Sequence, residues 1–226
     1  MSAKNRSAAE NGNPNEFYAT EAWVVDVILP RLHFQKGDVI VDAGCGTGAI
    51  MSRLPRECRV IGVEIDKNLI DVAAAKCADL FAEAEGVPPR TFVHGDFLEW
   101  AKNEAPRRPD PVKHIIMNPP YSLAEEFVRA SLKLVDRRFG SVSALLRLPW
   151  LASKCRYEFH REFPSDVHVL TKRPSFTGDG KSDATDYAWF TWSPKSGGKW
   201  SLLKPPVLPK RRRTVAEVQA DARTAP

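Results

Sequence analysis

Val39-Ile40-Val41-Asp42-Ala43-Gly44-Cys45-Gly46-Thr47-Gly48 is the stretch that decides the fold. Five mostly apolar, β-branched residues make a short buried strand. The alternating glycines then let the backbone turn tightly into a helix and approach a ligand with no Cβ in the way. Outward from it, short apolar runs recur at 59–65, 91–94, 114–117, 142–148, 166–171 and 187–192. Helical stretches lie between most of them, clearest at 68–85 and 123–136. Alternation of this kind predicts an α/β domain with a mostly parallel sheet and helices on both faces. The interval RPSFTGDGKSDATD (173–186) reads as loop, so the seventh and last strand is expected to be antiparallel. Upstream, Thr20 reads as the N-cap of a helix whose apolar face is Trp23, Val24, Val27 and Ile28 and which ends near Pro30.

The organisation follows from composition. Residues 1–14 are polar and aperiodic, a disordered leader by expectation; 15–193 form the domain; 194–226 read as a basic Pro/Lys/Arg-rich tail. The net charge of +5 is unevenly placed, −1 over residues 1–150 and +6 over 151–226. A one-sided basic surface fits a polyanion, and a solvated tail fits it equally. No stretch approaches the length of a membrane span and the N-terminus has no apolar signal region, so a cytoplasmic protein is expected, with no membrane partner. Cys45, Cys58, Cys77 and Cys155 form no CxxC pair, and the five histidines are scattered, so no metal site is expected.

A glycine-rich turn alone is a weak signal, because Gly44, Gly46 and Ala49 also satisfy the nicotinamide-type G-x-G-x-x-A pattern. Three neighbours in register strengthen it. Glu64 ends the second strand 20 residues after Gly44, Asp96-Phe97 follows the third, and Asn118-Pro119-Pro120-Tyr121 ends the fourth. With these in place, residues 17–193 resemble the class I S-adenosylmethionine-dependent methyltransferases that act on amino nitrogens. The fold this implies is a Rossmann-like, seven-stranded, mostly parallel sheet with an antiparallel last strand.

The resemblance also assigns roles. Gly44, Gly46 and Gly48 shape the cofactor loop, and Asp42 supports it and the methionine amino group. Glu64 takes the ribose hydroxyls with Ile65 against the adenine ring, while Asp96 accepts from the adenine amine and Phe97 packs on the ring. Tyr18 and Thr20, in Phe17-Tyr18-Ala19-Thr20, resemble the element that closes over the methionine end, although Glu21 stands where that pattern has proline. Asn118 and the Pro119 carbonyl hold the target amine, Pro120 stiffens the turn, and Tyr121 stacks on a flipped-out base. Phe176 is the candidate second stacking face, with Trp150 or Tyr157 next in line.

The order of motifs and the compact size resemble small phage-type orphan DNA N6-adenine methyltransferases. Double-stranded DNA is therefore the expected substrate, with Lys172, Arg173, Lys181 and Lys210-Arg211-Arg212-Arg213 as weaker nucleic-acid contacts. RNA adenine is the alternative, followed by protein glutamine and by an idle nucleic-acid-binding module. A homodimer or larger assembly is expected, because little chain is left for a separate recognition domain. Trp189, Trp192 and Trp200 are candidate interface anchors.

Overall fold

The computed structural model describes residues 17–81, 88–136, 138–176 and 183–206. In chain order these form α1 (Ala22–Asp26), β1 (Val39–Ala43), β2 (Arg59–Glu64), α2 (Lys67–Phe81), β3 (Thr91–His94), α3 (Phe97–Asn103), β4 (His114–Met117), α4 (Ala124–Leu134), β5 (Ser141–Arg147), α5 (Tyr157–Glu162), β6 (Asp166–Leu170), β7 (Tyr187–Trp192) and β8 (Trp200–Leu203). The strands make one sheet in the order β3-β2-β1-β4-β5-β7-β6-β8. Only β7 runs against its neighbours, pairing antiparallel with β5 (Arg147↔Tyr187) and with β6. The expected antiparallel strand is therefore present.

Both faces of the sheet are covered. One carries α3, α4 and α5, packing Trp100, Phe127, Val128, Leu132 and Phe159 onto Val41, Ile115 and Phe190. The other carries α1 and α2, with Val24, Ile28 and Cys77 against Ile40, Leu145 and Trp189. A central strand closed in on both sides reads as a continuous apolar run, and all five residues of β1 are buried. Helix α4 shows the underlying logic: Phe127, Val128, Ser131 and Leu132 face the sheet, with Glu125 and Glu126 in its first turn and Lys133 in its last, matching the helix dipole.

Three expectations need correction. The sheet has eight strands, not seven: Trp200–Leu203, assigned by sequence to the tail, pairs parallel to β6 (Val167↔Trp200). The carboxylate of Asp166 makes this possible, because its Oδ1 accepts from the Gly197 and Lys199 N–H groups and turns the chain back along β6. Second, the glycine loop does not run into an α-helix. It gives a single 3₁₀ turn at Met51–Arg53, and Leu54 is already extended ahead of Pro55. Third, Thr20 does not cap α1. Glu21 stands at the N-cap with no side-chain hydrogen bond, and the helix buries Val24 and Val25 before a 3₁₀ turn takes up Pro30. The leader at 1–14 and the chain beyond 206 lie outside the described residues.

Candidate active site

A cleft opens at the carboxyl ends of β1, β2, β3 and β4, enclosing about 990 Å³ with its open mouth included. Its floor is the glycine loop, with φ of +72°, +51° and +72° at Gly44, Gly46 and Gly48. At Gly46 a Cβ would fall 2.5 Å from Cε2 of Phe17, so the missing side chain is what lets the N-terminal segment close down on the loop. Gly48 does not line the cleft; a Cβ there would press on Ala73 of α2 at 3.1 Å.

Asp42 lies behind the floor, fully buried. Its Oδ2 accepts from the Met51 N–H at 3.0 Å, while Oδ1 has no partner among the described residues. Burial first, with the nearby Glu64 charge adding to it, pushes this carboxyl up to about 8 against the opposing Met51 hydrogen bond. The loop-supporting half of its expected role therefore has a geometric basis, and it does not reach the cleft wall.

The wall residues fit a nucleoside. Glu64 accepts from Gly46 N–H through Oε2 (2.9 Å) and from Ile65 and Asp66 N–H through Oε1 (2.9 and 3.0 Å). A carboxylate has about four lone-pair sites, so one remains beside the cleft for a hydroxyl. Ile65 is half-exposed against the cleft and offers an apolar face. Asp96 caps α3 with Oδ1 alone, accepting from Leu98 and Glu99 N–H at 2.6 and 3.1 Å; its Oδ2 makes no hydrogen bond among the described residues and can take an amine. Phe97 touches the cleft but is otherwise packed against Phe127.

At the far end sits Asn118. Its Nδ2 donates to the Tyr18 carbonyl at 3.2 Å and to Thr20 Oγ1 at 3.1 Å, and its Oδ1 accepts from the Tyr121 hydroxyl at 3.1 Å. Burial holds that hydroxyl well above its ordinary range, so it remains a donor at any working pH. Tyr18 stacks on Tyr121 with centroids 5.3 Å apart and planes at 27°, and Phe176 meets Tyr18 edge-on at 5.8 Å. Pro119 is buried under the turn and Pro120 lines the cleft. Phe176 thus joins the cluster around Tyr121, with Tyr18 at its centre. Trp150 is core, packed on Phe159, Phe190 and Trp192, and exposed Tyr157 begins α5.

Sequence reasoning missed four members of this end. Arg147 closes β5 with its guanidinium 4.7 Å from the Tyr121 ring centre, and its Nε donates to the Tyr187 hydroxyl at 3.3 Å. That hydroxyl donates to Asp183 at 2.8 Å. Glu21 Oε2 accepts from the Ser175 N–H at 2.7 Å, tying the N-terminal segment to the loop that carries Phe176. The available signal for Arg147 and Tyr187 was position alone, at the sheet edge where β4 also ends. Of the basic residues named earlier, Arg173 pairs with Asp186 (2.7 Å) and Lys172 lies over the Trp23 ring. Lys181 and Lys210–Arg213 fall outside the described residues.

A sheet in this strand order, with a glycine-floored cleft at its carboxyl edge, is the Rossmann-like methyltransferase fold. Residues 40–136 match the family model described as a methyltransferase domain. Among curated proteins the chain is 26% identical over 135 residues to ribosomal RNA small subunit methyltransferase A of Gloeobacter violaceus, covering 58% of this chain and 45% of that protein. The chain therefore spans less than half the length of that relative. Among solved structures it superposes on a type I restriction-modification methyltransferase subunit from Streptococcus thermophilus with a TM-score of 0.62 at 13% identity, covering 95% of this chain and 55% of that one. A dimethyladenosine transferase from Plasmodium falciparum gives 0.56 at 16% identity, with 79% and 64% covered. At these identities the superpositions speak for the fold.

Proposed function

We propose that the protein is an S-adenosylmethionine-dependent methyltransferase of the N6 amine of adenine in DNA. The observation that carries this reading is Asn118, whose carboxamide joins the glycine-floored cleft to the aromatic cluster of Tyr121, Tyr18 and Phe176. In the cleft Glu64, Ile65 and Asp96 would hold the ribose, ring and amine of the cofactor. S-adenosylmethionine, when bound, supplies an electrophilic methyl group on a sulfonium.

The chain's own contribution is orientation. An exocyclic amine is a poor nucleophile because its lone pair is delocalised into the ring. Asn118 Oδ1 and the Pro119 carbonyl would accept its two N–H bonds, favour pyramidal geometry and aim the lone pair into the cleft. Asn118 Oδ1 already accepts one O–H, from Tyr121, and an incoming amine N–H would take that place. No residue needs to act as a strong base, since the surplus proton can leave to water.

RNA adenine is a second reading, and one finding favours it: the curated relative named above acts on ribosomal RNA according to its name. For assembly we propose a homodimer. Trp189 and Trp192 are core residues, which leaves Trp200 and Leu202 on β8, both more than half exposed, as the anchors available to it. The test of function is to incubate the full chain with methyl-labelled cofactor and, separately, duplex DNA, ribosomal RNA and a glutamine-rich protein, then digest and separate the products. Labelled N6-methyladenine from DNA is expected; label in RNA alone favours the second reading, and label in neither nucleic acid refutes both.

A further inference from the structure

We infer that Tyr18 is a target-base residue, forming with Tyr121 the two faces between which the base is held, and that Glu21 is the positioning residue that keeps this sandwich in register with Phe176. The inference deepens the adenine reading and rests on it.

The motif resemblance gives residues 17–20 to the cofactor's methionine end. The contacts of the segment divide differently. Phe17 packs on the glycine loop, over Gly46. Tyr18 also lines the cleft, but its ring stacks on Tyr121 and meets the edge of Phe176. Its own carbonyl accepts from Asn118 Nδ2, so the ring is anchored within one residue of the amide that would hold the target amine. A base stacked on Tyr121 with its amine at Asn118 must therefore meet Tyr18.

Two outcomes of that meeting are conceivable, insertion or displacement. A base between two rings needs their planes about 7 Å apart, twice an ordinary stacking distance, so these two stacked rings must part by roughly one ring thickness, through side-chain rotation with the backbone in place. Displacement would instead require the backbone to leave. That backbone is held at Tyr18 and Thr20 by Asn118, and just beyond by the Glu21 carboxylate on the Ser175 N–H. A charged acceptor at 2.7 Å is among the stronger single hydrogen bonds. Because Ser175 immediately precedes Phe176, this same bond fixes the distance between Tyr18 and Phe176. Insertion exchanges one ring–ring contact for two ring–base contacts and breaks none of these bonds.

The experiment uses the full chain saturated with S-adenosylhomocysteine, so that the cofactor cleft is filled, and measures binding of a fluorescent twelve-residue oligodeoxyadenylate by anisotropy. One stacking face corresponds to roughly a 5- to 150-fold change in affinity. Y18A is expected to weaken oligonucleotide binding by that factor and to leave S-adenosylhomocysteine affinity within about threefold. Y18W is expected to bind like wild type, and Y18L, which keeps bulk without a ring, to serve if Y18A does not fold. E21A is expected to lose part of the oligonucleotide affinity and E21Q, which retains an acceptor for Ser175, to restore it. Oligonucleotide affinity in Y18A equal to or above wild type would make Tyr18 a cover over Tyr121 and overturn the inference. A loss confined to S-adenosylhomocysteine would return Tyr18 to the cofactor and overturn it also. Wild type failing to bind either oligodeoxyadenylate or oligoadenylate refutes the adenine reading itself, and the inference with it.

Discussion

Asp42→Asn is expected to gain stability over the unaltered empty protein as pH rises. The carboxyl is fully buried with one oxygen unpartnered, and its pKa rises from the ordinary 3.8 to about 8. Below 3.8 folded and unfolded chains both hold the proton, and the group contributes nothing. Between 3.8 and about 8 the unfolded chain releases it while the folded chain keeps it, so each pH unit removes about 1.4 kcal/mol of stability. Above about 8 the loss is constant. At pH 7 the accumulated penalty is at most about 4 kcal/mol, a large fraction of a typical domain's stability. Asparagine carries no charge to desolvate and its amide oxygen can still accept from Met51, so it removes the pH-dependent penalty without freeing the loop; its NH2 group meets the partnerless side of Oδ1, at a cost of about 1–3 kcal/mol that does not vary with pH. Urea unfolding of both proteins from about pH 4 to about pH 8 tests this. A difference that moves in favour of Asp42→Asn by up to about 4 kcal/mol between the acid end and neutrality is expected; parallel curves would refute the argument that Asp42 folds with its proton.

Asn118→Ala should abolish methyl transfer while leaving cofactor affinity within a few-fold, and turnover in that variant would end the reading of Asn118 as the amine's acceptor. Gly46→Ala places a Cβ 2.5 Å from the Phe17 ring at a φ of +51°, so it should cost about 1–2 kcal/mol of stability and weaken cofactor binding by displacing Phe17. Calorimetric titration reads the second effect, and unchanged affinity would detach Phe17 from the cofactor. Replacing Lys210, Arg211, Arg212 and Arg213 by glutamine should lower DNA affinity and flatten its salt dependence, because each phosphate contact releases counterions. An unchanged salt slope would assign the cluster to solvent.

What was legible in advance has a common physical basis. β1 and β7 are buried on both faces, so their apolar runs mark them as strands without help from context. The loop 173–186 lacks any apolar period, and the antiparallel turn of β7 follows from that absence. β8 offered neither signal. It is four residues long, half of it exposed at the sheet edge, and it owes its place to Asp166, some thirty residues upstream. The cleft wall was readable because its residues sit at or just after the ends of successive parallel strands, and strand ends are visible in sequence.

Thr20 shows why the target end was harder. Before an apolar helix a threonine hydroxyl has an obvious local partner, the backbone N–H two or three residues on, and a local reading assigns it there. The folded chain offers a competitor 98 residues away, the part-buried Asn118 amide with its two N–H donors. A helix that lacks its cap loses about 1 kcal/mol and its first N–H groups can be met by water, whereas the Thr20 hydroxyl on Asn118 joins two distant segments and holds the amide in one orientation. The hydroxyl therefore goes to Asn118, and α1 begins uncapped at Glu21. Glu21 is released by the same exchange. Proline at that position could donate nothing and accept nothing through its side chain, while glutamate reaches across 154 residues to Ser175 and holds the Phe176 loop. Against the proline of the motif that residues 17–20 resemble, Glu21 thus replaces a rigid turn by a tertiary tie. A reading confined to neighbouring residues registers the lost proline and has no means of registering the bond gained.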